Sequence, residues 1–298
     1  MSEQTFTSLD NLGETSTANS AIILKGKGQV VVELDPDHPG FRDEEYRKRR
    51  NRIAQLALDF AEMEPGSKIP EAEYTEEEHA VWKIINENIE PTHQKFACKE
   101  HLEYKKKIAL STDRIPQLQE VSDKVFAMSG FSLQPVGGLV QAEIFLRALG
   151  AGVFLSTQYI RHHSTPLYTP EPDVVHELVG HVAMLANPRF AELSRLVGEA
   201  AGRIKTEKDL EDLGRIYWYT IEFGVLREGD EVKAYGAGLL SSFGELESIS
   251  KAELRPFDLQ MMMDTPYDVT QYQPILFCAD SFDHMYETLK DFLPKWNA

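Results

Sequence analysis

The stretch Glu171-Pro172-Asp173-Val174-Val175-His176-Glu177-Leu178-Val179-Gly180-His181 sets two histidines five residues apart behind the marks of a helix start. Pro172 suits a first turn. Asp173 offers an oxygen to unpaired N–H groups and a negative charge to the positive helix end. Neutral imidazole is the commonest protein ligand for a transition metal. The spacing excludes the zinc-protease pattern, whose histidines stand at i and i+4 on one helical face. On an ideal α-helix, residues five apart diverge by about 140°. Gly180, just before His181, is the residue best able to relax that geometry. Read alone, the pair fits a metal site and two unrelated helix histidines equally well.

A third ligand would separate those readings. Two histidines and one carboxylate make the facial triad of non-haem Fe(II), which leaves one face of the octahedron open. Downstream, Arg215-Ile216-Tyr217-Trp218-Tyr219-Thr220-Ile221-Glu222-Phe223-Gly224 places Glu222 alone among apolar and aromatic residues. Neither Arg215 nor Arg227 stands at the i±3 or i±4 spacing that would pair it along a helix. A buried carboxylate needs a partner, and a metal is the strongest one. A salt bridge to a distant Arg or Lys is the other solution.

His176-Glu177-Leu178-Val179-Gly180-His181 and Tyr217-Trp218-Tyr219-Thr220-Ile221-Glu222-Phe223-Gly224 together resemble the pterin-dependent aromatic amino acid hydroxylases. So do Gln158-Tyr159-Ile160-Arg161-His162 and Tyr235-Gly236-Ala237-Gly238-Leu239-Leu240-Ser241-Ser242. The similarity runs from about Leu34 to about Leu293 in the family's order and spacing, and looks closest to its phenylalanine hydroxylases. The resemblance implies a mostly α fold with a few short strands around a basket-like site, in one catalytic domain. It implies an Fe(II)- and tetrahydropterin-dependent monooxygenase that uses O2 to convert L-phenylalanine to L-tyrosine, the pterin being tetrahydrobiopterin or a relative. The ligand set carried over is His176, His181 and Glu222, with Glu177 reaching the pterin side. Around the pterin the family places main-chain and side-chain groups matching Gly138, Leu139, Val140, Ala142, Phe145 and Tyr217. Around the amino acid it places Arg161, Tyr168, Thr169, Pro172, Trp218, Ser241 and Val269.

The chemistry of these residues suits those roles. Gly137-Gly138 lets backbone groups approach a flat heterocycle, and Phe145 follows on the next helix; packing in the core is its plain alternative. A guanidinium at Arg161 can grip a carboxylate with two parallel hydrogen bonds, although an arginine in a solvated ion pair is the commoner case. Ser241 and Glu245 could orient a ligand histidine from behind. Trp218 leaves a pocket sized for a single ring, and apolar Val269 offers no partner for a phenol hydroxyl. One departure stands out: many family members carry histidine near the pterin where this chain has Leu155. The pair His162-His163 is left unassigned, because neighbours on a strand point to opposite faces.

The rest of the chain is consistent with this. Of 298 residues, 31 are Lys or Arg and 48 are Asp or Glu, a balance of −17 that argues against nucleic acid or an anionic membrane as partner. Cys98 and Cys278 lie far apart without a Cys-x-x-Cys pattern, which fits free thiols in a reducing compartment. No apolar run reaches the roughly 18 residues of a membrane span, and no basic-then-apolar leader opens the chain. A soluble cytoplasmic monomer is the expectation, its partners limited to the amino acid, O2 and the pterin. Residues 1–33 are expected to form a disordered arm and 34–298 the catalytic domain. The regulatory domain and the tetramerising ribbon and helix of larger family members are expected to be absent.

Helices are expected behind the basic run Arg47–Arg52, taken as a solvated face, from the capping box Thr75-Glu76-Glu77-Glu78, near 92–109 and 116–128, and over 141–149, 188–202, 206–226, 241–250 and 281–293. Strands are expected near 133–136, 153–160 and 275–279, with a hairpin at Gly229-Asp230. Two further classes remain: a metal-dependent hydrolase using the same three ligands with Glu177 as base, and a catalytically silent metal- or pterin-binding protein. Within the family, tyrosine or tryptophan is the alternative substrate.

Overall fold

Asp43, Thr75 and Gly130 punctuate the first half of the chain. The computed structural model describes residues 22–26 and 29–297. The Asp43 side chain accepts from Tyr46 N–H and starts α1, Glu44–Ala61. Thr75 and Glu78 close a reciprocal capping box at the head of α2, Glu76–Phe96. α2 runs on through Pro91, and the break to α3, Lys99–Ile108, falls at Ala97-Cys98, where Cys98 caps the new helix. α4, Leu118–Ser129, ends on Gly130 in the left-handed conformation at φ 72°.

Ahead of α1, β1 (Ile22–Gly26) and β2 (Gln29–Glu33) pair antiparallel. Val32 is buried with Leu34 and Ala54 of α1, so the end of the expected arm packs on the first helix. The rest of that arm, 1–21 with 27 and 28, lies outside the described residues. After α4, β3 (Ser132–Pro135) and β4 (Val153–Ser156) pair in parallel across α5 (Ala142–Gly150). His176–His181 then forms a π-helical turn that runs into α6, Val182–Leu185. Next comes α7, Pro188–Ala201. α8, Glu207–Tyr217, is followed by a second π-helical turn, Trp218–Glu222.

The expected helix to residue 226 therefore stops at Glu222. The chain turns into β5 (Val225–Glu228) and, through Gly229 at φ 62°, into β6 (Glu231–Ala234). Two short helices, α9 (Ala237–Leu240) and α10 (Phe243–Ser248), precede β7 (Glu253–Pro256) and α11 (Leu259–Asp264). β8 (Ile275–Ala279) completes a sheet of order β6-β5-β8-β7, and α12 (Phe282–Phe292) follows. The expected class, mostly helical with short strands, is the observed one.

α7 lies in the core, with Phe190, Leu193, Val197 and Ala201 buried. It meets α5 backbone to backbone, since a Cβ on Gly198 would overlap the main chain of Gly150. No described helix is long and apolar enough to cross a membrane. Both cysteines are free thiols.

α1 corrects one expectation. Arg47 and Lys48 are exposed, but Arg50 turns inward and is fully buried. Its Nη1 donates to Glu171 at 2.5 Å, and its guanidinium lies 3.3 Å from the centroid of the Tyr159 ring. Sequence spacing could not show this, because the partner is 121 residues away. Tyr46 donates to Ile160 O at 3.1 Å and Tyr74 to Gln158 O at 2.7 Å. The N-terminal helices thus hold the segment that leads into the first π-turn.

Burial alone would raise the Glu171 carboxyl, but Arg50 and His38 outweigh it and hold the group at about 2, against an ordinary 4.5. A carboxylate so depressed contributes stability that is complete above about 4.5 and lost as pH falls toward 2. We expect Glu171→Gln to cost on the order of 3 kcal/mol at pH 7. Denaturant titrations should show that deficit shrinking between pH 4.5 and 2; a constant deficit would remove the ion pair as its cause.

Candidate metal centre and surrounding pocket

The two π-turns answer the spacing problem. Widening to i→i+5 bonding brings residues five apart nearly above one another, and His176 and His181 sit at the two ends of the first turn. Their Nε2 atoms stand 3.1 Å apart. In the second turn, Phe223 N–H donates to Trp218 O at 2.8 Å and leaves Glu222 on the inner face. Its carboxylate oxygens lie 3.5 Å from His176 Nε2 and 3.1 Å from His181 Nε2.

Gly180 has a packing role here rather than a purely conformational one: a Cβ would stand 2.6 Å from Ala237 O. A Cβ on Gly236 would strike the carbonyl of Glu222. Tyr235–Ser242 therefore wedges between both turns, and Ser241 Oγ reaches His176 Nδ1 at 3.0 Å. That contact orients the ring with Nε2 inward. The sequence reading gave Ser241 two roles, and its observed partner is the histidine.

The three donors fit one metal ion. Ligand atoms about 2.1 Å from a shared ion stand roughly 3 Å apart when adjacent, and the three contacts span 3.1–3.5 Å. Protonation agrees. Burial lowers His176 to about 4, against the opposing charge of Glu222. For Glu222, burial would raise the carboxyl, but His181 and His176 prevail and hold it at about 2. A neutral imidazole and an ionised carboxylate are the forms a metal requires.

The neighbouring side chains group around this centre. Phe154 lies 4.6 Å from His181, ring to ring, and Phe145 packs edge-on against both Phe154 and Tyr217 at 5.7 Å. Gly138, Leu139 and Val140 form the loop between β3 and α5, and Ala142 opens that helix. Leu155 is buried with Val136, Val140, Ile144 and Phe145 alongside. Glu177 is buried, and its Oε1 accepts from Thr157 N and Oγ1 at 3.3 and 3.1 Å. Burial raises that carboxyl to about 7, with His181 and Thr157 opposing. The Tyr217 hydroxyl is buried beside Glu222; burial, then the charge of Glu222 and a hydrogen bond to it, push it well above its ordinary value. A buried hydroxyl, a buried carboxyl and an apolar wall with a glycine loop suit a flat polar heterocycle.

On the other side, Arg161 is committed to Asp173: Nε donates to Oδ2 at 2.9 Å and Nη2 to Oδ1 at 2.8 Å. Asp173 Oδ1 also accepts from Val175 and His176 N–H at 3.2 Å, as its helix-start position implied. Pro172 O accepts from the Tyr159 hydroxyl. Thr169 Oγ1 donates to Glu171 O at 2.8 Å, whereas Tyr168 is 59% exposed. Trp218 stacks on Tyr267 at 4.2 Å and donates through Nε1 to Gln273 Oε1 at 3.0 Å. Val269 is 63% exposed on a turn.

Asp173 (as a partner of Arg161), Thr157, Gln273 and Tyr267 were not picked out from the sequence. Only Asp173 carried a local signal, as a helix cap. The other contacts join residues 20 to 55 positions apart.

Because Asp173 ties Arg161 to the first π-turn, we expect Asp173→Ala to weaken metal binding by about 10–100-fold. It should also lower stability by roughly 3–5 kcal/mol through the unpaired Arg161. Metal titration alongside thermal unfolding checks both, and unchanged metal affinity would sever the proposed link between cap and ligand.

Comparison with known proteins is consistent with this geometry. The family described as biopterin-dependent aromatic amino acid hydroxylase matches residues 23–297. The chain is 44% identical over 255 residues to a phenylalanine 3-hydroxylase of Streptomyces coeruleorubidus, covering 86% of this chain and 90% of that one. It is 43% identical over 267 residues to the phenylalanine-4-hydroxylase of Bos taurus, covering 88% of this chain and 58% of the bovine protein. Among solved structures, the phenylalanine hydroxylase of Chromobacterium violaceum with bound iron(III) and 7,8-dihydrobiopterin superposes with a TM-score of 0.69 at 31% identity, covering 74% and 81% of the two chains.

Proposed function

Since the chain belongs to the biopterin-dependent aromatic amino acid hydroxylase family, we propose that it hydroxylates L-phenylalanine with O2, yielding L-tyrosine. The observation that carries this is the convergence of His176, His181 and Glu222 on one point beside a glycine loop and a buried arginine. We assign those three residues to Fe(II) and the loop Gly138–Val140, Ala142, Phe145, Glu177 and Tyr217 to the tetrahydropterin. When bound, iron and reduced pterin supply the activation of O2 that amino acid side chains lack.

The protein's own work is positioning. Three ligands on one side leave the other face of the ion open. Of the five N–H groups on Arg161, Asp173 takes two and Pro166 O a third at 3.5 Å. The remaining pair forms a fork for the substrate carboxylate, already aimed by Asp173. We assign Trp218, held by Tyr267 and Gln273, and Pro172 to the walls around the substrate ring, and Tyr168 and Thr169 to the mouth. Ser241 acts through His176. Val269 stays an apolar position on the neighbouring turn and provides no partner for a phenol. A monomer is the simplest assembly for these roles.

Glu222→Ala and His181→Ala should each lose iron and drop hydroxylation to background while the fold persists, because an open triad is not a structural metal site. Full turnover in an iron-quantified Glu222→Ala preparation would sink the assignment.

Burying a phenol hydroxyl without a partner costs roughly 1–3 kcal/mol. Phenylalanine should therefore be used at least about tenfold better than tyrosine by kcat/KM, a difference of roughly 1.4 kcal/mol. Chromatography of the product separates ring positions: para-tyrosine is expected, whereas meta-tyrosine would align the chain with its Streptomyces relative. Preference for tyrosine or tryptophan would overturn the substrate choice.

A further inference from the structure

His162 and His163 are not on a strand. β4 ends at Ser156, and His163 stands in a turn, so the two rings face each other with centroids 4.2 Å apart and planes 35° from parallel. Asp43, at the head of α1, meets them there. One ligand atom from each of Asp43, His162 and His163 lies within 4.8 Å of the others. None of the three belongs to the iron or pterin assignment.

The site is built rather than merely crowded. His162 is buried, and Tyr46 packs edge-on against its ring at 5.0 Å. His162 Nδ1 accepts from Ser164 N–H at 3.3 Å, with Ser164 Oγ 2.7 Å away, which fixes the ring. Nε2 therefore turns its proton toward Asp43 Oδ2, 3.2 Å away; an ion bound there would replace that proton, and the separation is also the one expected of two atoms on one metal ion. Asp43 Oδ1 is occupied by Tyr46 N–H, which fixes the carboxylate. Glu77 Oε2, 3.4 Å from His163 Nδ1, adds a second acidic group at the edge. His163, with 42% of its side chain exposed, leaves a route from solvent.

We propose that Asp43, His162 and His163 bind a second metal ion, a divalent transition cation of borderline softness such as Zn2+. Two imidazoles and one carboxylate favour Zn2+, Co2+ or Ni2+ over Mg2+ and Ca2+, which prefer oxygen ligands throughout. Three protein ligands leave a fourth position for water. The ion would tie the start of α1 to the residue next to Arg161.

The test is metal stoichiometry on the tag-free full-length chain, stripped of metal, equilibrated with Zn2+ and freed of loose ion by gel filtration. Wild type should hold about two equivalents, and His181→Ala and His163→Ala about one each. Zn2+ should still raise the Tm of His181→Ala but not that of His163→Ala/His181→Ala. His163 lies in an exposed turn, so circular dichroism of His163→Ala should match wild type. One equivalent in wild type that vanishes in His181→Ala, or two retained in His163→Ala, would overturn the proposal.

Discussion

Histidines five residues apart face one point only where the helix widens to i→i+5 bonding, and a π-turn is rarely found without tertiary support. Two such turns carry the candidate ligands here, His176–His181 and Trp218–Glu222. Tyr235–Ser242 supports both. Ala237 O presses where a Cβ of Gly180 would be, and Gly236 lies against the carbonyl of Glu222. Tyr235 and Gly236 N–H both donate to Gly224 O at 3.0 Å, just past the second turn. Ser241 then reaches back to His176. One segment thus fixes the spacing of the turns and the rotation of a ligand ring.

The charge balance of the site follows the same chain path. Glu171, Asp173 and Glu177 are buried within seven residues in a protein of net charge −17. Each has its own partner: Arg50 for Glu171, Arg161 for Asp173, and Thr157 for Glu177. An unpaired buried carboxylate would cost several kcal/mol, so these partners must be delivered from elsewhere in the fold. α1 delivers Arg50, and the segment after β4 delivers Thr157 and Arg161. That need accounts for the placing of α1, whose tyrosine and arginine side chains fasten the segment from Ile160 to Glu171.

What could be read from the sequence divides along the same line. Caps act within three or four residues, so Thr75-Glu78 and Asp173 were legible. The family motifs pointed to His176, His181 and Glu222, which the fold brings together. Contacts across the fold were not legible. Arg50 looked like its exposed neighbours because nothing nearby in sequence marks Glu171 as its partner. His162 and His163 were assigned opposite faces because the strand was expected to run past Ser156, and a turn has no such alternation. The end of the second π-turn at Glu222 was hidden because a helix-like pattern continued to Leu226.

Leu155 shows how a departure from the family is absorbed. Opposite Gln134 in the β3–β4 pairing, it lies buried in an apolar layer with Val136, Val140, Ile144 and Phe145. A histidine there would need a polar partner inside that layer, at a cost of roughly 1–3 kcal/mol if none were found. Leucine removes the need and strengthens the wall. A flat heterocycle seated against that wall still has polar edges to satisfy. On the pterin assignment proposed above, that demand falls on the main-chain groups of the Gly137-Gly138 loop and on Glu177. On that assignment side-chain substitutions around the loop should matter less than changes to its backbone.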